Sequence, residues 1–298
     1  MIASEAQDAE EQDYSNVSSA QVEQNQRSAG ITHPGYLRDH NEDAIWHDDQ
    51  RAVWVVADGL GGHQAGEVAS AMVVDSIRVA SAEESGFIPA LKAVHDQLLE
   101  RDESENAMGS TAVVLSESGP DYRIDWVGDS RAYLWRINED GPLLQQLTTD
   151  HSYVQMLVAS GAIPASEAAH HPNRNVITRC VGGVGGRSLE VDSVRGRWQQ
   201  GDKILLCSDG LTSDVPDELI CTAIADAKDN AGAVTRLLQA ALDTGGRDNI
   251  SIQLVDAPAN IPEPTDTPGN QRHHSAVKGF LVILLLAALA AWLVAGSL

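Results

Sequence analysis

Apolar positions along the chain fall into runs of two kinds. Short apolar blocks bounded by turn-forming residues predict strands at residues 51–57 (RAVWVVA), 111–115 (TAVVL), 122–127, 132–137 and 203–207 (KILLC). Residues 249–255 (NISIQLV) close the series with apolar side chains on alternate positions, the period of a strand. Longer stretches at residues 67–82, 88–100, 153–159, 216–227 and 231–242 read as helices. Some helices lie between strands, while other strands follow one another after short turns. That order predicts mixed α/β structure with substantial antiparallel sheet rather than a regular βαβ repeat. No internal repeat is evident.

The two ends of the chain depart from this pattern. Residues 1–26 hold six acidic residues and no Lys or Arg, which predicts a disordered acidic tail. They contain no apolar core and no early positive charge, so no secretory signal is expected there. Residues 257–278 carry Pro258, Pro262, Pro264 and Pro268 among Asn, Thr and Gly, the composition of an extended linker. Residues 279–298 include FLVILLLAALAAWLVAG and no charged side chain. At about 1.5 Å per helical residue they span roughly 30 Å, the hydrocarbon thickness of a bilayer. Length, position and the Pro-rich approach favour a C-terminal transmembrane helix over a buried core helix. Arg272 and Lys278 precede the segment and nothing charged follows. The positive-inside tendency therefore places the rest of the chain in the cytoplasm. The globular body is residues 27–256.

Composition narrows the chemistry. The 298 residues allow one large domain or two small ones, taking about 150 residues per domain. An apolar fraction of 43% is ample for a core. Asp and Glu total 43 against 20 Lys and Arg, a net charge of −23, of which the body carries −17. That excludes ordinary nucleic-acid binding, which needs a cationic face. It does not exclude phosphate chemistry, because bound metal ions reverse the local sign. Cys180, Cys207 and Cys221 are too few and too unevenly spaced for a disulfide framework or a zinc site.

Four aspartates stand at strand boundaries. Asp58 ends the strand of VWVVADGLGG and Asp209 ends that of KILLCSDGL, each directly before a glycine. Asp129 follows the strand DWV in WVGDSR, and Asp248 precedes the strand NISIQLV. A carboxylate at a strand end is held by rigid backbone, and the following glycine lets a carbonyl or ligand come close. Taken singly, each Asp fits an ordinary turn. Taken together, four converging carboxylates need cations between them. Hard oxygen donors without Cys or His point to Mg2+ or Mn2+ rather than zinc.

The chain resembles the bacterial metal-dependent type 2C, or PPM, family of protein serine/threonine phosphatases. The resemblance rests on eight motifs in order: RDHNED (38–43), VADGLGGHQAGE (56–67), GSTA (109–112), VGDSR (127–131), TTDHSYVQMLVASGAI (148–163), HPNRNVITRCVG (171–182), CSDGL (207–211) and RDNIS (247–251). It implies an α+β fold, a four-layer α-β-β-α sandwich of two antiparallel sheets flanked by helices. It also implies a binuclear Mn2+ or Mg2+ centre. Asp58 would bridge both ions, the Gly59 carbonyl would reach one, and Asp209 and Asp248 would complete the other. Asp129, with Asp209, would hold a weaker third ion, and Glu42 would act through metal-bound water. Arg38 would grip the substrate phosphate. A hydroxide shared by the two ions would attack phosphorus in line with the leaving Ser or Thr oxygen.

The same motifs raise narrower questions. His63 is the nearest candidate to protonate the leaving oxygen, with helix capping before residues 64–67 as the alternative role. Gly109, Ser110, Thr111 and Asn249 are expected to support the centre, and residues 150–172 match the family's flap. Cys180 and Arg187 are separated by six residues, where a cysteine-phosphatase loop needs five. The glycines of residues 182–186 lack the Lys-Ser/Thr of a P-loop. The expected activity is hydrolysis of phosphoserine and phosphothreonine in proteins, opposing a bacterial Ser/Thr kinase at the membrane. Control of a secretion or envelope system is one setting for it. The alternative is a catalytically inactive phosphatase fold used as a membrane scaffold or sensor, which the intact ligand set opposes.

Overall fold

The computed structural model describes residues 21–61, 65–82, 85–101, 108–168, 170–183 and 188–261. The first part of that chain runs β1 (Glu23–Gln24), β2 (Ser28–His33), β3 (Ala44–Asp48), β4 (Val53–Ala57), β5 (Gly59–Leu60), α1 (Ala65–Val79) and α2 (Ile88–Arg101). Next come β6 (Gly109–Ser110), β7 (Ala112–Ser118), β8 (Asp121–Val127), β9 (Arg131–Asn138), β10 (Gly141–Gln146), α3 (Tyr153–Ala159) and α4 (Ala165–Ala168). The last part is β11 (Val181–Gly182), β12 (Asp192–Arg197), β13 (Lys203–Cys207), α5 (Asp209–Thr212), α6 (Asp217–Ala225), α7 (Asn230–Asp243) and β14 (Ile250–Asp256).

Two antiparallel sheets dominate. One has six strands in the order β1-β2-β14-β13-β9-β10, and the other has five in the order β12-β8-β7-β4-β3. A small third sheet orders β11-β6-β5. Three apolar clusters fill the spaces between layers, and strand alternation assigns each side chain to one of them. In β4, Trp54 and Val56 point to the middle, where they meet Val113, Ile124, Ile204 and Leu206. Val53, Val55 and Ala57 point the other way, against Val73, Ile77, Leu91 and Leu98 of α1 and α2. In β13, Leu205 and Cys207 face Leu237 and Leu238 of α7. Both faces of the central strands are thus buried, which is why they read as unbroken apolar runs. The layers stack α-β-β-α, as the family resemblance implied.

Helix starts follow local chemistry. The Asp229 carboxylate accepts from the Gly232 N–H at 2.7 Å and caps α7, and Ser152 accepts from the Gln155 N–H and caps α3. Strands β2, β3, β10 and β12 lie outside the predicted runs. β10 and β12 are sheet edges with solvent-exposed positions, and β2 buries small and polar residues such as Ser28, Gly30 and His33. The expected boundaries also move. Glu23–Gln24 pairs with β2 and Val22 packs on the core, so the fold begins inside the predicted 1–26 tail. Ala257 is buried, its N–H donates to the Asp202 carbonyl at 2.9 Å, and Ile261 packs on the central cluster. The body therefore runs to residue 261. Residues 1–20, His63, residues 262–278 and the anchor expected at 279–298 lie outside the described residues. Among the described residues no helix is long and apolar enough to cross a membrane.

Leu237, fully buried between α7 and the six-stranded sheet, is expected to lose about 2–5 kcal/mol of stability on replacement by Ala. Ile137, which is 68% exposed on β9, is expected to lose less than about 0.5 kcal/mol on the same change. Urea denaturation of the two variants measures the contrast, and equal losses would contradict the layer assignment.

Candidate active site

The five-stranded sheet delivers the first carboxylates. Asp58 follows β4, and its peptide unit is held from both sides by Thr111. The Asp58 N–H donates to Thr111 Oγ1 at 2.9 Å, and the Thr111 N–H donates to the Asp58 carbonyl at 2.8 Å. Thr111 Oγ1 also lies 2.7 Å from Ser130 Oγ, beside the turn that carries Asp129. The expected supporting role of Thr111 thus has a definite form: it fixes the backbone beneath Asp58.

The six-stranded sheet delivers the rest. Asp209 opens α5 directly after β13, and Asp248 lies just before β14. Asn249 binds the loop that carries Arg38 and Glu42. Its Oδ1 accepts from the Glu42 N–H at 2.8 Å, and its Nδ2 donates to the Pro34 and His40 carbonyls at 2.9 Å each. Arg38 Nη2 donates to Asp248 Oδ2 at 2.8 Å, with the Arg38 side chain half exposed. The glycines after Asp58 and Asp209 are there for close approach. A Cβ on Gly59 would stand 2.3 Å from the Gly66 carbonyl oxygen, and one on Gly210 would stand 2.0 Å from that of Asn249.

A fifth carboxylate joins these four. Asp43, immediately before β3, is buried; its Oδ2 accepts from Ser208 Oγ at 2.8 Å and its Oδ1 has no partner. Asp129 is also buried with an unpartnered Oδ1. Sequence reasoning left Asp43 without a role, although it stands beside Glu42 in RDHNED and directly before an apolar strand.

Crowding raises the proton affinity of the group. Burial, then repulsion from Asp43, Asp209, Asp129 and Asp248, pushes Asp58 well above the usual carboxylate range. Burial, partly offset by hydrogen bonds from Ser251 and Ser208, pushes Asp43 up to about 7. Asp129 rises to about 8 through burial and then the charge of Asp209, and Asp209 to about 6 through burial and then Asp248. Glu42 rises through burial, opposed by Arg38. The aspartates are thus within electrostatic range of one another. Among the described residues, however, no three acidic, His or Cys side chains close around a single point. One oxygen of Asp248 is engaged by Arg38. The donor set still fits hard divalent cations: it is all oxygen, and two of its members, Asp43 and Asp129, are buried with an oxygen that lacks a hydrogen bond.

The flap segment lies beside this centre. Ser152, Val154 and Ala165 line a cavity of about 280 Å³ together with Asp129, Asp209 and Arg174. A larger cavity of about 820 Å³, lined by Glu117, Arg123 and Arg195, opens elsewhere and contains none of the site residues. Burial raises the Cys180 thiol above its usual range, which opposes a nucleophilic role.

Residues 38–255 match the sequence model of the family described as Protein phosphatase 2C. The chain belongs to the protein phosphatase 2C family. The family's serine/threonine phosphatase stp of Listeria welshimeri is 35% identical over 241 residues, covering 76% of this chain and 93% of that protein. Among solved structures, the PPM Ser-Thr phosphatase MsPP from Mycobacterium smegmatis in complex with cacodylate superposes with a TM-score of 0.69 at 30% identity, over 78% of this chain and 99% of that one. The catalytic domain of the phosphatase PstP in complex with two manganese ions superposes with a TM-score of 0.66 at 32% identity, over 77% and 97%. The protein phosphatase 2C fold therefore extends across the body described above.

The raised carboxylates make a pH prediction. Their folded pKa values of about 6 to 8 exceed the ordinary value of 3.8. The folded state therefore holds protons that the unfolded state has released, and stability falls as pH rises through that interval. In excess chelator, the melting temperature is expected to drop between about pH 5 and about pH 8, and added Mn2+ to raise it most at the upper end. A chelator-treated midpoint that climbs over the same interval would contradict the shifts.

Proposed function

We propose that the aspartate centre holds Mn2+ or Mg2+ and that the chain uses it to hydrolyse phosphoserine and phosphothreonine in proteins. The observation that carries this reading is the crowded set of carboxylates, two of them, Asp43 and Asp129, buried with orphaned oxygens, in a protein phosphatase 2C body. Asp58, the Gly59 carbonyl, Asp209 and Asp248 would hold two ions. Asp129, with Asp209, would hold a weaker third, and Glu42 would reach the centre through water. Bound there, divalent cations supply an acidified water and offset phosphoryl charge.

The chain's own side chains do the rest. Arg38 stands half exposed at the rim, and its guanidinium offers two parallel donors to phosphate oxygens once it leaves Asp248. Asn249 holds the Arg38 loop in place, so the phosphate meets a guanidinium already positioned. The buried setting weakens screening and strengthens every charge interaction made there. His63 precedes α1 and is proposed to protonate the leaving oxygen. No residue of the expected ligand set is replaced in the sequence, which opposes the inactive-scaffold reading.

We place the catalytic body at the cytoplasmic face of a membrane, anchored by residues 279–298, where it would oppose a Ser/Thr kinase. The support is the uncharged C-terminal run and the two basic residues before it. With the body ending at residue 261, residues 262–278 form the tether. Seventeen residues reach at most about 60 Å when fully extended. Confinement within that distance raises the effective concentration toward membrane-bound phosphoproteins.

Asp58→Asn should lower turnover of a phosphothreonine peptide by at least about 10²-fold. It should not lower the metal-free melting temperature, because it removes a buried charge. Activity within about threefold of the parent would refute the centre. Deleting residues 279–298 should leave turnover of a small soluble phosphate ester unchanged and shift the protein from the membrane fraction to the soluble one. A truncated chain that still sediments with membranes would rule out the anchor.

A further inference from the structure

His151 stands at the N-terminal foot of the flap, next to Asp150, with its side chain 6% exposed. Its backbone N–H donates to the Gly128 carbonyl at 2.9 Å, and the Gly128 N–H donates to its Nδ1 at 3.0 Å. One residue therefore grips both polar groups of Gly128, the residue directly before Asp129. Because Nδ1 accepts from a backbone N–H, a neutral ring carries its proton on Nε2. Nε2 lies 3.2 Å from Asp192 Oδ2 of β12 and 3.3 Å from Arg179 Nη1, which itself donates to Asp192 Oδ1 at 3.1 Å. The ring stacks on Trp126 at 6.1 Å, and the His151 carbonyl accepts from the Thr178 N–H at 2.8 Å. His151 thus joins the N-terminal foot of the flap, and Thr178 in the chain beyond its other end, to the turn that carries Asp129.

We propose that His151 is a positioning residue for the Asp129 arm of the metal centre, its ring oriented by Asp192 and its grip on Gly128 setting where the Asp129 carboxylate points. The proposal rests on the reading of Asp129 as a ligand of the weaker ion. A buried histidine can also be a satisfied core residue with no influence on ligands. Three features separate this one from that case. Both its ring and its backbone act on a single residue, Gly128. That residue adjoins a buried carboxylate with an unpartnered oxygen. The ring's far nitrogen meets a carboxylate, the arrangement by which proteins fix a histidine tautomer around metal sites. Flap position and Asp129 orientation are consequently coupled through one side chain.

The test is a calorimetric titration of the full-length, metal-stripped protein with Mn2+ alone, with melting temperature followed in parallel. The parent is expected to show a tight class of sites and a weaker one. His151→Leu should weaken only the weaker class, by about 10- to 100-fold. His151→Asn places an amide oxygen where Nδ1 was and should retain that class within about threefold. An unchanged His151→Leu isotherm, an equal loss in all classes, or an Asn variant as damaged as Leu would overturn the proposal. If His151→Leu does not fold, Asp192→Ala on the half-exposed β12 edge carries the test. A selective loss of about threefold or more in the weaker class supports the proposal, and no change overturns it. Asp129→Asn separates the two claims. If it spares the weaker class, the ligand reading of Asp129 is wrong. If it abolishes that class while His151→Leu spares it, the positioning role alone is wrong.

Discussion

The burial of like charges is the constraint on which the rest of the structure depends. Asp43 and Asp129 are buried and Asp58, Asp209 and Asp248 partly buried, so repulsion among the five and loss of water both favour their protonated forms. Among the described residues only Asp248 has an ion pair of its own, with Arg38, and the surrounding elements are tied together by hydrogen bonds. Thr111 holds the peptide of Asp58, Ser208 bonds Asp43 from the start of α5, and Asn249 binds the loop opposite Asp248. Asp43 and Asp58 adjoin strands of the five-stranded sheet, Asp209 and Asp248 adjoin strands of the six-stranded one, and Asp129 sits on the turn between them. The distance between the two sets is consequently set by the packing of Trp54, Ile124, Ile204 and Leu206 between the sheets. A core cluster with no chemistry of its own thereby sets the geometry of the centre.

Such a site is a source of instability that the apolar layers offset. Burying a Leu or Ile contributes about 1.5–3 kcal/mol, and each of the three clusters holds many such side chains. The margin lets the fold keep carboxylates whose charged forms are disfavoured. It also explains the division of labour among polar residues. Side chains that could neutralise the centre permanently are few, and Arg38, which does engage Asp248, lies half exposed where a phosphate can compete for it.

How much of this was visible in the sequence depended on what each residue buries. The strands VWVVA and KILLC are enclosed on both faces, so their apolar runs announced them. The edge strand β12, DSVRGR, alternates exposure and carries no apolar run, and β2 buries Ser28 and His33 through hydrogen bonds rather than hydrophobic packing. Of the site, four aspartates were legible as carboxylates at strand boundaries, and the motif order supplied Arg38 and Glu42. Asp43 was not singled out because its neighbour Glu42 drew the assignment, and only burial distinguishes the two. The three hydrogen bonds of Asn249 are tertiary and leave no local trace in the sequence. The same holds for the tail and linker boundaries, which moved because Val22 and Ile261 find packing partners far away in the chain.

The cavity beside the centre bears on what kind of substrate the chain can take. A small metabolite is held by a pocket that encloses most of its surface, commonly about 300–1,000 Å³. The space between the flap and Asp209 is about 280 Å³, and the larger cavity contains no residue of the centre. A single phosphorylated side chain projecting from a protein needs no enclosure, only a rim cation such as Arg38 and a floor of oxygen donors. Little binding energy then comes from the phosphorylated residue itself, so selection among phosphoproteins must be made outside the centre. Ser152, Val154 and Ala165 of the flap, which is tied to the Asp129 turn through Gly128, border that cavity together with the exposed Arg174, Asn175 and Ser213.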